Sequence, residues 1–122
     1  MTNILLVATG GALGASLRYF IINIARYLYP NLPLGTLFVN ILGSFLIGFL
    51  MNYLENKNVS DVFIRYFIII GILGSFTTFS AFSFDVIELL NNKKIFISLS
   101  YILISVSTCL FFTYIGYNFN KI

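Results

Sequence analysis

Three short polar or proline-containing stretches divide this chain of 122 residues into four apolar segments, each long enough to cross a lipid bilayer. They read YPNLP at 29–33, ENKNVSD at 55–61 and NNKK at 91–94. Because lipid offers no water to a free backbone group, segments of this length are expected to be helices. We predict an all-α integral membrane protein, a single domain over 1–122, with four transmembrane helices at about 3–29, 34–54, 62–90 and 95–119.

The composition excludes several classes of protein. With 59% hydrophobic and 9% charged residues, the chain lies far outside the range of soluble globular proteins. It has no histidine and one cysteine, so it offers no Cys/His metal site, no intrachain disulfide and no nucleophile–base pair for an enzyme. Its seven Lys and Arg residues are too few and scattered for a nucleic-acid surface. We expect a non-enzymatic, multi-pass protein of a bacterial cell (inner or plasma) membrane, in contact with lipid.

The third segment carries an unusual run of small and hydroxyl residues, GILGSFTTFSAFS at 71–83. The segment is close to thirty residues long, more than one crossing requires. Gly71, Gly74 and the Thr77–Thr78 pair interrupt it, which predicts a helix broken near its middle, with unwound backbone facing protein or water. Carbonyl oxygens of unwound backbone can hold a cation. The phenylalanines recur every third residue and are expected near one face, which we predict lines a path for a small ion: Phe76, Phe79 and Phe82.

Polar residues in the first two segments each allow two interpretations. Arg18 lies deep in the first segment, where a guanidinium either pairs with carbonyl groups at a protein interface or borders an ion vestibule. Asn40 shares a helix face with Thr36, four residues earlier. Its amide either bonds a neighbouring helix or donates to an anion. Small residues four apart, Gly10 with Gly14, predict a close approach of another helix.

The last two segments carry further polar candidates. Tyr101, Ser105 and Cys109 recur every four residues, which is typical either of ordinary helix–helix hydrogen bonding or of a polar track. Asp85 and Glu88 follow the predicted break and are either interfacial acids or part of a site near the membrane edge.

Basic residues near the two ends of the crossings are balanced. Three flank the side of both termini, and three flank the other: Lys57, Arg65 and Lys121 against Arg26, Lys93 and Lys94. Orientation depends on an excess of Lys and Arg, so this chain has no strongly preferred orientation. We expect insertion both ways, which permits an antiparallel dimer with its axis in the membrane plane.

Three stretches together resemble the Fluc family of fluoride channels, also called CrcB: GGALGASLRY at 10–19, GTLFVNILGSFLIG at 35–48 and GILGSFTTFSAFS at 71–83. The resemblance implies a dual-topology, antiparallel homodimer that exports fluoride passively through two pores and holds a central, structural sodium ion. It implies that the sodium is bound by the backbone carbonyls of Gly74 and Thr77. The residues that it implies for the fluoride pore are Asn40, Phe79, Phe82, Thr36, Tyr101, Ser105 and, near the entrance, Arg18.

The chain departs from the family pattern at two positions. Asp85 stands where a glutamate is usual, and Cys109 stands where the helix often has a further serine. The first change shortens an acidic side chain, and the second weakens a hydrogen-bond donor at one end of the track.

Two other classes of membrane protein fit less well. A small multidrug-type, proton-coupled cation exporter needs an intramembrane carboxylate. Here the first segment carries Arg18 and no acid, and the chain has no tryptophan for cation–π contact. A purely structural membrane subunit would leave the combination of Asn40, Phe79 and Phe82 without a purpose. The sequence therefore favours the channel.

Overall fold

The computed structural model describes residues 1–57 and 61–121, and over these ranges the chain is helical, with no strand. Four helices are long and apolar enough to cross a membrane: Thr2–Leu28, Leu34–Lys57, Phe63–Asn91 and Ile95–Tyr117. The all-α architecture and the four membrane-length helices are thus confirmed. The second helix runs to Lys57, past the expected end near residue 54, and of the polar loop predicted at 55–61, residues 58–60 lie outside the described residues.

Three of the four crossings are single helices, α1 (Thr2–Leu28), α2 (Leu34–Lys57) and α5 (Ile95–Tyr117). The third consists of a π-helix (Phe63–Leu73), one turn of α-helix, α3 (Gly74–Phe76), and a longer helix, α4 (Phe79–Asn91). In the π-helix an N–H group reaches the carbonyl five residues earlier, as that of Gly74 does with Ile69. The wider turn shifts which side chains share a face.

The backbone leaves helical geometry between α3 and α4. Thr77 has φ −83° and ψ 151°, and Thr78 has φ −152° and ψ 120°, both extended conformations. The Thr78 hydroxyl accepts a hydrogen bond from the Ala81 N–H and so caps α4, the usual role of threonine before a helix. The amides after the break therefore do not serve the carbonyls before it in the α-helical pattern.

Glycines allow α1 to contact the backbone of the third crossing directly. Gly10 and Gly14 are buried. A Cβ atom at Gly14 would overlap the carbonyl oxygen of Ile72, and one at Gly10 would overlap that of Phe67. The packing surface predicted from these small residues is confirmed.

A second pair of glycines brings α2 and α5 together. A Cβ atom at Gly48 would overlap the carbonyl oxygen of Thr113, and one at Gly116 would overlap that of Phe45. The two helices therefore touch backbone to backbone near the ends that lie opposite the 92–94 turn. This contact fixes the spacing of α2 and α5 along their length.

Candidate functional site

A cavity of about 300 Å³ lies where α2, α5 and the break in the third crossing meet. Six of the predicted site residues line it, together with neighbours such as Thr78 and Cys109: Asn40, Gly74, Thr77, Phe79, Phe82 and Ser105. The fold thus gathers residues from three segments of the sequence around one space.

Asn40 binds the broken backbone with both ends of its amide. Its Oδ1 accepts a hydrogen bond from the Thr78 N–H at 2.8 Å, and its Nδ2 donates to the Thr78 carbonyl at 3.1 Å. A side-chain NH₂ carries two hydrogens, and the Thr78 carbonyl uses one of them. Asn40 therefore holds another segment in place, as one interpretation expected, and keeps a second N–H to donate, as the other requires.

Three aromatic rings form a row beside the cavity. The centroids of Phe79 and Phe82 are 5.3 Å apart, and those of Phe82 and Tyr101 are 5.2 Å apart, with tilted planes. Phe82 is buried at 8% exposure, whereas Phe79 is 75% exposed on the surface of the single chain. Ring edges carry the positive part of the aromatic quadrupole, so rings in this row can present positive edges to an anion.

Ser105 carries a buried hydroxyl at the cavity wall. The residue is 5% exposed, and its Oγ has no hydrogen-bond partner among residues 1–57 and 61–121. Burying a hydroxyl without a partner costs about 1–3 kcal/mol. A polar ligand in the cavity would recover this free energy.

Tyr101 and Thr36 lie away from the large cavity and next to Asp85. The Tyr101 hydroxyl donates to the Asp85 carboxylate at 3.1 Å, and the buried Thr36 hydroxyl is a second hydrogen-bonding neighbour of that carboxyl group. Asp85 in turn lines a smaller polar cavity of about 110 Å³, with Arg26, Glu88, Asn92, Lys94 and the 30–33 turn. Phe82, Tyr101 and Asp85 thus connect the two cavities through direct contacts.

The sequence treated Asp85 only as a departure from the family pattern, and it did not indicate Thr78 as the partner of Asn40. Both residues form contacts between segments far apart in the chain. The only sequence signal for them was their place beside the break, in the Thr77–Thr78 pair and in the acidic residues that follow it.

Arg18 binds backbone and lies outside the lining of both cavities. Its Nε–H donates to the carbonyl oxygen of Ser75 at 2.9 Å. Of the two interpretations of Arg18, this contact matches the one in which carbonyl groups hold the guanidinium.

The break also leaves backbone oxygens that suit a hard cation. In a continuous α-helix the Thr78 N–H would donate to the Gly74 carbonyl, but here it donates to Asn40. Gly74 and Thr77 both line the cavity. Among the described residues no group of three or more His, Cys, Asp or Glu side chains stands ready for a metal, so a cation here would be held by oxygen dipoles. The residues fit the sodium ion that the resemblance implies.

Comparison with known proteins gives consistent matches along nearly the whole chain. Residues 5–117 match the family model described as "CrcB-like protein, Camphor Resistance (CrcB)". A protein of Rhizobium meliloti named "Fluoride-specific ion channel FluC" is 45% identical over 117 residues, 95% of this chain and 94% of its own length. Proteins with the same name are 42% identical over 118 residues in Campylobacter jejuni (96% of both chains) and 40% over 119 in Clostridium perfringens (97% of this chain, 93% of its own).

Proposed function

Because the chain belongs to the CrcB-like family, we propose that it is a fluoride-selective channel through which fluoride leaves the cell passively. It is an ion channel of this family and not an enzyme. The observation that carries the proposal is the large cavity, where a spare Asn40 N–H, an unpartnered Ser105 hydroxyl and the Phe79 and Phe82 rings line one space.

The chemistry of this lining suits a small, strongly hydrated anion. A pore must replace the water around fluoride with close donors and still release the ion. Asn40 supplies an N–H, Ser105 and Thr36 supply hydroxyls, and Phe79 and Phe82 supply positive ring edges. None of these groups carries a full charge, so the ion is stabilised without being trapped. From the Phe82 ring, Tyr101 leads toward the polar cavity at Asp85.

A second copy of the chain in the opposite orientation would complete the site. Phe79 is 75% exposed and Gly74 is exposed in the single chain, although both line the cavity. A partner over this surface would cover both and generate two pores per dimer. The balanced basic residues support an antiparallel arrangement. Carbonyls of Gly74 and Thr77 from both copies would then hold a structural sodium ion, whose positive charge offsets nearby anions.

Purified protein in liposomes loaded with potassium fluoride tests the proposal. We expect rapid fluoride efflux, followed with a fluoride electrode, when valinomycin carries the compensating potassium. Efflux should proceed without a proton gradient, because Asn40, Ser105 and the phenylalanines do not titrate near neutral pH. Liposomes loaded with potassium chloride are the control and should release little. Strict coupling of fluoride flux to protons would instead support a transporter, and equal chloride flux would contradict selectivity.

Dual insertion has its own test. A tag placed at the C-terminus should be labelled by a membrane-impermeant reagent from outside intact cells in about half of the molecules, because the charge balance favours neither orientation. The remaining half should become labelled only after the cells are opened. Labelling from one side alone would refute an antiparallel dimer.

A further inference from the structure

The short helix α3 ends with carbonyl groups that have lost their usual donors. In a continuous α-helix the Ser75 carbonyl would accept the N–H of Phe79, but Phe79 begins α4 beyond two extended residues. An unpaired buried carbonyl is costly. Arg18, 57 residues earlier in the chain, supplies the missing donor through its Nε–H.

The register of α1 is fixed so that Arg18 reaches this carbonyl. Gly14 packs against the Ile72 backbone one turn before Arg18. Gly11 leaves room for the Ser75 side chain, because a Cβ atom there would lie 3.2 Å from Ser75 Oγ. Three contacts of α1 therefore converge on the end of the π-helix and on α3.

We propose that Arg18 is a positioning residue: its Nε–H holds the Ser75 carbonyl and so fixes the end of α3 where the Gly74 and Thr77 carbonyls remain free for a cation. This inference rests on the proposed function, because the cation is the sodium ion of that proposal. Asn40 fixes the other side of the break through Thr78. The geometry gives the guanidinium a backbone carbonyl as its partner, so its contribution lies in the N–H more than in its charge.

Two substitutions separate the N–H from the charge. In Arg18→Gln the amide nitrogen stands as many bonds from Cα as Nε does in arginine, so it keeps a donor in place and removes the charge. Arg18→Met has a similar length and removes both. Arg65→Met, at an exposed arginine of the π-helix, is the control.

The readouts are the melting temperature of the purified protein as a function of sodium, with N-methylglucamine as the replacement cation, and fluoride efflux from liposomes. A ligand that binds the native state raises stability with its concentration, so the half-saturating sodium concentration can be read from the melts. We expect Arg18→Gln and Arg65→Met to remain within about threefold of the native protein in both readouts. Arg18→Met should need roughly tenfold more sodium and lose roughly tenfold in efflux, as expected for one lost hydrogen bond.

Arg18→Gln decides the matter even if Arg18→Met does not fold. A loss of tenfold or more in Arg18→Gln would overturn the proposal in favour of a charge effect, and native behaviour in Arg18→Met would overturn it as well. The melts do not depend on fluoride. If the native protein bound sodium but passed no fluoride, the proposed function would fail while the positioning role could still be judged.

Discussion

Replacement of Phe82 by isoleucine is expected to reduce fluoride efflux from liposomes to the level of protein-free vesicles. Phe82 contacts Phe79 on one side and Tyr101 on the other, so its ring links the large cavity to the path toward Asp85. Isoleucine keeps the site apolar but has no positive edge to offer a dehydrated anion. Phe79→Ile should have the same effect, because both rings line the cavity.

Phe84→Ile is the matched control for these variants. Phe84 lies on α4 as well, yet it is 66% exposed and is not part of the cavity lining. We expect native efflux from this variant. Size-exclusion chromatography and melting curves of all three variants will show whether loss of flux is loss of fold. Native rates in well-folded Phe79→Ile and Phe82→Ile would remove the ring edges from the mechanism.

Asn40→Asp is expected to lower fluoride efflux by roughly a hundredfold or more. The carboxylate can still accept the Thr78 N–H, but its second oxygen would face the Thr78 carbonyl that now receives a hydrogen bond. Losing that bond and leaving an acceptor unpaired costs about 1–3 kcal/mol, and roughly 1.4 kcal/mol corresponds to a factor of ten. The new negative charge would also repel fluoride in the cavity.

Asn118→Asp controls for the change of amide to acid. Asn118 likewise donates from Nδ2 to a backbone carbonyl, that of Tyr114 at 2.9 Å, but near the end of α5 and away from the cavity. It should conduct as the native protein does. If Asn40→Asp conducted equally well in the electrode assay, Asn40 would be a purely structural link.

The sequence predicted the four crossings because long apolar runs and the turns between them are local features. The glycine contact of α1 was also predictable, since two small residues four apart require only a helix to lie on one face. Asn40, Phe79 and Phe82 were indicated by the resemblance, and the structure places them around one cavity. That they form a fluoride pore stays a prediction.

The remaining features depend on contacts between distant residues, which no local pattern contains. The π-helix was not predicted, because its residues read as an ordinary apolar helix. The bond from Arg18 to Ser75 and the bond from Tyr101 to Asp85 each join separate helices. Only the packed chain decides which carbonyl the guanidinium reaches, so the sequence left both interpretations of Arg18 open.

The backbone contact of Gly48 and Gly116 has a consequence for how transport mutants are judged. Ser105 and Tyr101 belong to the same helix as Gly116, so a methyl group added at this crossing would push α5 outward and carry both side chains with it. Ion passage would then fail although every group that meets the ion was intact. A damaged phenotype at either glycine would diagnose altered helix spacing and would carry no information about the chemistry of anion selection.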